Sequence, residues 1–260
     1  MRRASRVLLI IAILFVVIGP MSVFAYHFFL EGFMSPKVQV IPIYGVISTH
    51  GYGSSEEIAN QIASADSDSA VKAILLEINS PGGYVVATEE VSRAVENCEK
   101  PVVAWIRVMG ASGAYWIASS ADMIVAERAA STGSIGVSSS YLQYADYLTE
   151  EGITYERLVS GRYKDTGSPY KELTSDERAL LQHRIEIIND MFVLHVSRTR
   201  DMLEGDVRLL ATGEIFLGVE ALDVGLVDAL GDRQDAFEAA KELSGAPYAQ
   251  LEDAGGFSLF

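Results

Sequence analysis

The sequence is poor in the residues that most often announce a chemistry. It holds one cysteine, Cys98, which excludes an intramolecular disulfide and leaves the redox compartment unread. It holds only four histidines and six lysines, so few side chains are available as a general base. Basic charge is scarce: 20 Lys and Arg face 35 Asp and Glu, for a formal net charge of −15. That balance argues against a nucleic-acid partner, whose phosphates would be repelled. No G-x-G-x-x-G fingerprint and no P-loop lysine is present, which argues against a phosphate cradle, and no metal or cofactor is expected. Charge of either sign is missing altogether from residues 7–30.

That uncharged stretch has 24 positions, and about 20 apolar residues suffice to span a bilayer as a helix. Arg2, Arg3 and Arg6 precede it, which keeps residues 1–6 in the cytoplasm and sends the rest of the chain outward. The rival reading is a leader peptide removed after Val23-Phe24-Ala25, but the apolar run exceeds the roughly 7–15 residues usual for one. The organisation expected is therefore a membrane anchor over 7–30, a linker over 31–37, a catalytic domain over 38–245 and a loose C-terminal tail over 246–260. One domain's worth of chain remains after the anchor, roughly 100–200 residues being the common size.

The remainder alternates short apolar runs with helical patterns. VQVIPIYGVI (38–47) reads as a first strand whose Pro42 marks an edge or bulge. Ser54 and Ser55 before Glu56 and Glu57 read as a helix start, with the helix running to about residue 65. KAILLEI (72–78) and VVAWIRV (102–108) read as buried strands of an α/β sheet, followed by helices over 84–98 and 112–120. A strand is expected at 123–126, a glycine-punctuated loop or strand at 132–137, a helix at 141–149 and a strand at 155–159. Thr174 with Glu177 fits a capping box that opens a long helix. Leu180, Leu181, Ile185, Ile188, Met191, Phe192 and Val196 form an apolar stripe along it.

Two turns sit at the carboxyl ends of neighbouring strands, where open α/β sheets build their sites: Asn79-Ser80-Pro81-Gly82-Gly83 and Gly110-Ala111-Ser112-Gly113-Ala114. Ser112 reads in two ways. As a helix N-cap it would only satisfy a free amide. As a nucleophile it would sit where backbone amides favour a tetrahedral oxyanion, with small neighbours that admit a substrate backbone. The pattern is not the G-x-S-x-G elbow. Gly82 and Gly83 are either an ordinary turn after proline or a source of oxyanion-binding amides, Gly83 acting with Gly113. A serine nucleophile needs a base. His27 falls in the anchor, His183 and His195 fall on the long helix, and His50 in a glycine-rich loop is the one serious imidazole. Lys164 is the alternative: a solvated loop lysine, or an amine buried against the serine and so stripped of its proton.

The two turns, together with Thr132-Gly133-Ser134-Ile135-Gly136 and Ser160-Gly161-Arg162-Tyr163-Lys164-Asp165, resemble in order and spacing the four motifs of the signal peptide peptidase A family of serine proteases, in its short form. The resemblance runs from about residue 38 to 231. It implies a Clp protease- and crotonase-like fold, a repeated ββα superhelix in the α/β class. It implies Ser112 as nucleophile, Lys164 as base, Gly83 as an oxyanion donor and Ser134 as the group that orients the lysine; Asp165 matches without an assigned role. It also implies peptide substrates, namely remnant signal peptides, and a homo-oligomeric ring or dome in which the lysine reaches the serine of a neighbouring copy. The rival readings are an NfeD-associated membrane protease that cuts a specific partner, a catalytically idle membrane scaffold in which Ser112 is only a cap, and an acyl-CoA enzyme on the crotonase fold.

Overall fold

A computed structural model describes residues 19–23, 35–51 and 53–253. The expected anchor and linker, 7–37, therefore lie largely outside the described residues. Among the described residues no helix is long and apolar enough to cross a membrane.

The centre is a mixed, mostly parallel sheet. Strand β1 (Lys37–Ile47), helix α1 (Ser55–Ser67), strand β2 (Val71–Gly83), helix α2 (Val85–Glu96), strand β3 (Val102–Ala111) and helix α3 (Gly113–Ser119) follow one another as successive βα units. Strands β4 (Met123–Ala126) and β5 (Ser131–Gly133) both pair with β3, at successive levels of the same strand. Helix α4 (Ala145–Glu150), the long α5 (Ser175–Thr199), α6 (Glu204–Leu210), strand β6 (Ile215–Leu217), α7 (Gly218–Asp223), strand β7 (Ala229–Leu230), α8 (Arg233–Ser244) and strand β8 (Gln250–Asp253) complete the chain. The principal strand order is β6-β5-β3-β2-β1-β8, and every pairing is parallel except β5 with β6.

The continuous apolar run of β2 follows from burial on both faces. Ile74, Leu76 and Ile78 point into the larger core with α1, α2 and α3, whereas Ala73 and Leu75 pack with Val103, Trp105 and Phe237 under α8. The α1 cap is as expected: the Ser54 side chain accepts from Glu57 N at 3.3 Å. Pro42 lies beyond the stretch of β1, Lys37–Val40, that β8 covers, so its missing N–H costs no ladder bond on that side. Residues 250–253, read from the sequence as part of a tail, instead extend the sheet as β8, where Lys37 Nζ donates to Glu252 at 3.0 Å.

Two local expectations are corrected, and the surroundings of the α5 stripe are added. The glycine turn at 79–83 is not a turn that ends a strand. Tyr44, Val46 and Ile47 pair with Asn79, Gly82 and Gly83, so β2 runs through it, with a register shift at Gly45. The strand expected at 155–159 does not form, because those residues lie exposed with no neighbouring ladder to join; Leu158 is 95 % accessible. The apolar stripe of α5 is core only at its C-terminal end, where Phe192 and Val196 are buried and Phe192 stacks on Trp116 at 4.7 Å. From residue 136 to 176 not one residue is buried. This arm carries α4 and the motif around Lys164 away from the core.

Candidate active site

Ser112 stands between the end of β3 and the start of α3. Its amide donates to Gly133 O at 2.8 Å, and its carbonyl accepts from Trp116 N at 3.0 Å, which starts the helix. Its backbone lies at φ 54°, ψ −125°, in the left-handed half of conformational space that a non-glycine residue adopts only at a cost. Ser112 is the N-cap residue by position, but its side chain makes no capping hydrogen bond.

The two glycine segments meet at this serine. Gly82 has φ 94°, and a Cβ there would stand 2.7 Å from Gly113 N and 3.0 Å from Ser112 Cβ. Gly83 is packed against Ile47, and a Cβ on it would run into the Ile47 carbonyl oxygen. A Cβ on Gly113 would stand 3.3 Å from Gly83 N and would collide with the Thr88 hydroxyl. Glycine is required at Gly82 and Gly83 by close approach of backbone to backbone, and at Gly113 by the Thr88 side chain. The strand end is held by Ser80, whose buried Oγ accepts from Gly82 N at 3.1 Å, and by Thr132, whose buried Oγ1 donates to Gly110 O at 2.9 Å.

Ser112 opens onto two cavities. One, of about 790 Å³, is polar and is shared with Ser134, Gln182, Glu186, Asp190 and Arg208. The other, of about 110 Å³, is walled by Gly83, Val85, Thr88, Trp116, Ile188 and Phe192. Both are bounded by residues 136–138. Ser134 also has a left-handed backbone, φ 50°, and its Oγ donates to Gly213 O at 3.2 Å on the wall of the polar cavity. Ser112, Gly83, Gly113 and Ser134 are thus brought together within one chain.

Lys164 is not. It lies exposed on the arm, lines neither Ser112 cavity, and among the described residues its ammonium has no hydrogen-bond or ion-pair partner. The neighbouring Asp165 is occupied by Arg157, whose Nη2 donates to it at 2.8 Å, and this pairing lowers the Asp165 pKa. Glu177 ties the foot of this loop to the start of α5. Its carboxylate takes Lys171 Nζ at 2.7 Å on each oxygen and Thr174 N at 3.0 Å, and these bonds, that from Lys171 foremost, lower its pKa to about 2.

The histidines lie elsewhere. His50 bonds its neighbour Thr49 and lines a separate cavity with Glu56, Glu90 and Arg93. His195 is buried below α3, where its ring lies 3.2 Å from the Trp116 carbonyl oxygen and 3.1 Å from Ser120 Oγ. Burial lowers its pKa to about 4 although Glu96 lies 3.4 Å away, because Arg198 already holds both Glu96 oxygens at 3.0 Å. Among the described residues no group of three or more His, Cys, Asp or Glu is arranged to hold a metal. Sequence reasoning missed the small cavity and Thr88. A threonine one turn into α2 carries no local signal, and its place beside Gly113 exists only because α2 packs on α3.

Residues 94–246 match the family model for peptidase family S49, and residues 39–134 match that for Clp protease. Among curated proteins, a putative protease of Methanocaldococcus jannaschii is 36% identical over 75% of this chain and 64% of its own length. A putative signal peptide peptidase SppA of Enterococcus faecium is 32% identical over 82% of this chain and 65% of its own length. Protease 4 of Haemophilus influenzae is 32% identical over 80% of this chain and 35% of its own length. The chain thus spans less than two thirds of the length of these relatives. With a family model covering more than half of its residues and a parallel sheet of the Clp protease kind, the chain belongs to peptidase family S49.

Proposed function

We propose that this protein is a membrane-anchored serine endopeptidase in which Ser112 is the nucleophile and Lys164 the general base. In this reading the neutral Lys164 amine takes the Ser112 proton, and Oγ attacks the scissile carbonyl. The amides of Gly83 and Gly113 hold the developing oxyanion. The ammonium returns its proton to the leaving amine, and water then releases the acyl group by the same route. The observation that carries the reading is the Ser112 backbone, φ 54° with no capping bond, beside the close-packed Gly83 and Gly113.

Lys164 is supplied by a second copy of the chain. Three observations support this: its exposure, its absence from both Ser112 cavities, and the unburied arm that bears it. Tyr141, Tyr144, Tyr147, Leu158 and Tyr163 stand exposed on that arm, the apolar surface of an interface waiting for its partner. The polar cavity, with Ser134 Oγ and Gly213 O on its wall, receives the amine, and Ser134 orients it. Docking against the neighbour excludes water, which is what a lysine base requires.

The small cavity beside Ser112, where Val85, Trp116, Ile188 and Phe192 stand with Thr88 and Ser138, has room for a side chain of an extended peptide. Together with the relative named as a signal peptide peptidase, it favours remnant signal peptides as substrates. Residues 7–30 anchor the chain, and residues 37–253, β8 included, form the catalytic domain of a Clp-like superhelix on the extracytoplasmic side. The test is a serine-directed fluorophosphonate on the full chain in detergent. Labelling at Ser112 that Ser112→Ala abolishes supports the reading; a folded, assembled chain that takes no label contradicts it.

A further inference from the structure

We infer that Thr88 is a positioning residue for the oxyanion hole, setting the Gly113 amide through direct contact of its hydroxyl with the Gly113 backbone. The inference rests on the proposed protease reading and adds a residue to it. Thr88 is 1 % exposed, and its Oγ1 is a buried polar atom with no hydrogen-bond partner. Three other buried side-chain atoms among the described residues share that condition, in Gln61, Trp105 and Arg200, and none of those residues lines a cavity with Ser112. A threonine inside a helix ordinarily turns its hydroxyl back to the carbonyl one turn earlier. Here Thr88 Oγ1 makes no such bond.

Its direction is given by Gly113. A Cβ on that glycine would collide with Thr88 Oγ1 and would stand 3.3 Å from Gly83 N. The hydroxyl therefore packs against the Gly113 α-carbon, beside the gap between the two donor peptides. An oxygen is smaller than a methyl group, so this packing lets Gly113 approach Gly83 more closely than an aliphatic side chain would. A buried hydroxyl without a partner weakens a fold. A buried polar group left without a partner calls for an explanation, of which a role in the site is one. The oxyanion hole supplies such a role, because its donors act only when they stand about 2.7–3.1 Å from the oxyanion.

The test compares Thr88→Val, Thr88→Ser and Thr88→Ala in the full-length, assembled protein. Valine keeps the shape but puts a methyl against Gly113. The expected result is a fall in kcat of about tenfold with KM unchanged, since a misplacement of 1 Å can cost about a hundredfold. The affinity for a peptidyl boronate, whose tetrahedral adduct fills the hole, falls by the same factor, while Tm moves by no more than about 3 °C. Serine restores the oxygen and recovers most of the lost kcat; alanine does not. Equal kcat for wild type and Thr88→Val overturns the inference. So does equal loss in the serine and alanine variants, which decides the matter if the valine variant does not fold. Wild type that is labelled at Ser112 and active, with all Thr88 variants unimpaired, sinks this inference alone. Wild type that is neither labelled nor active removes the protease reading and this inference with it.

Discussion

The amide nitrogen of Gly83 lies 3.3 Å from the point where a Cβ on Gly113 would stand. A side chain at Gly113 would therefore crowd the Gly83 peptide, although the two residues lie on different strand–helix units. Alanine at Gly113 would meet Thr88 and press toward Gly83. Gly113→Ala is expected to lower kcat by about a hundredfold or more, the scale of a lost oxyanion donor, with a much smaller effect on KM. Steady-state kinetics on a folded variant, verified by circular dichroism, checks this.

Ser112 pays for its geometry in the resting fold. A non-glycine residue at φ 54° stores on the order of 1–3 kcal/mol, and its hydroxyl returns none of it through a cap. Ser112→Gly should therefore be inactive yet more stable, with Tm raised by about 2–4 °C for each kcal/mol released. Ser112→Ala, which keeps a Cβ, should be inactive without that gain. Differential scanning calorimetry of the three proteins separates these outcomes.

Glu177 is the fastening of the loop that carries Lys164. Replacing it with glutamine removes the charge that Lys171 pairs with and the low pKa that this pair produces. Residues 160–173 should become more susceptible to limited proteolysis and turnover should fall, while Tm stays within about 3 °C, because the arm buries no core. The pH dependence has a definite sign. A carboxyl with a depressed folded pKa stabilises above its unfolded value, here 4.5, and loses that contribution as pH falls toward about 2. Loop protection in the wild type should thus persist at neutral pH and fade below about pH 4.

His195 gives a second pH signature, at the opposite end of α3. Its folded pKa of about 4 lies below its unfolded 6.5, so the unfolded chain binds the extra proton first. The stability it contributes is complete above pH 6.5 and declines as pH falls through about 4. The total is on the order of 3 kcal/mol. Glu96, Arg198, Ser120 and the Trp116 carbonyl are the charged and polar groups around it. Urea unfolding between pH 7 and pH 4 should show a steep loss in the wild type and a shallower one in His195→Asn.

The sheet was legible because β2 and β3 are buried on both faces and so read as unbroken apolar runs. The caps at Ser54 and Thr174 were legible because side-chain and backbone chemistry fix them within four residues. The glycines of the site were legible as motifs, but their reason was not. Gly83 is glycine because of Ile47, and Gly113 because of Thr88, and both contacts join segments distant in sequence. The strand expected at 155–159 failed because a strand needs a neighbouring ladder, and this segment has none in a single chain. The stripe on α5 was legible as a stripe, but what its first two thirds face was not. Ile185 and Ile188 face the cavities of Ser112, not the interior.

The most direct measurement is complementation between two inactive proteins, Ser112→Ala and Lys164→Met, mixed and reassembled in detergent. If the lysine of one copy serves the serine of the next, mixing restores turnover, to about a quarter of wild type for random assembly in a closed ring. If mixed oligomers form and no turnover returns, Lys164 does not act across copies and the account is contradicted at its centre.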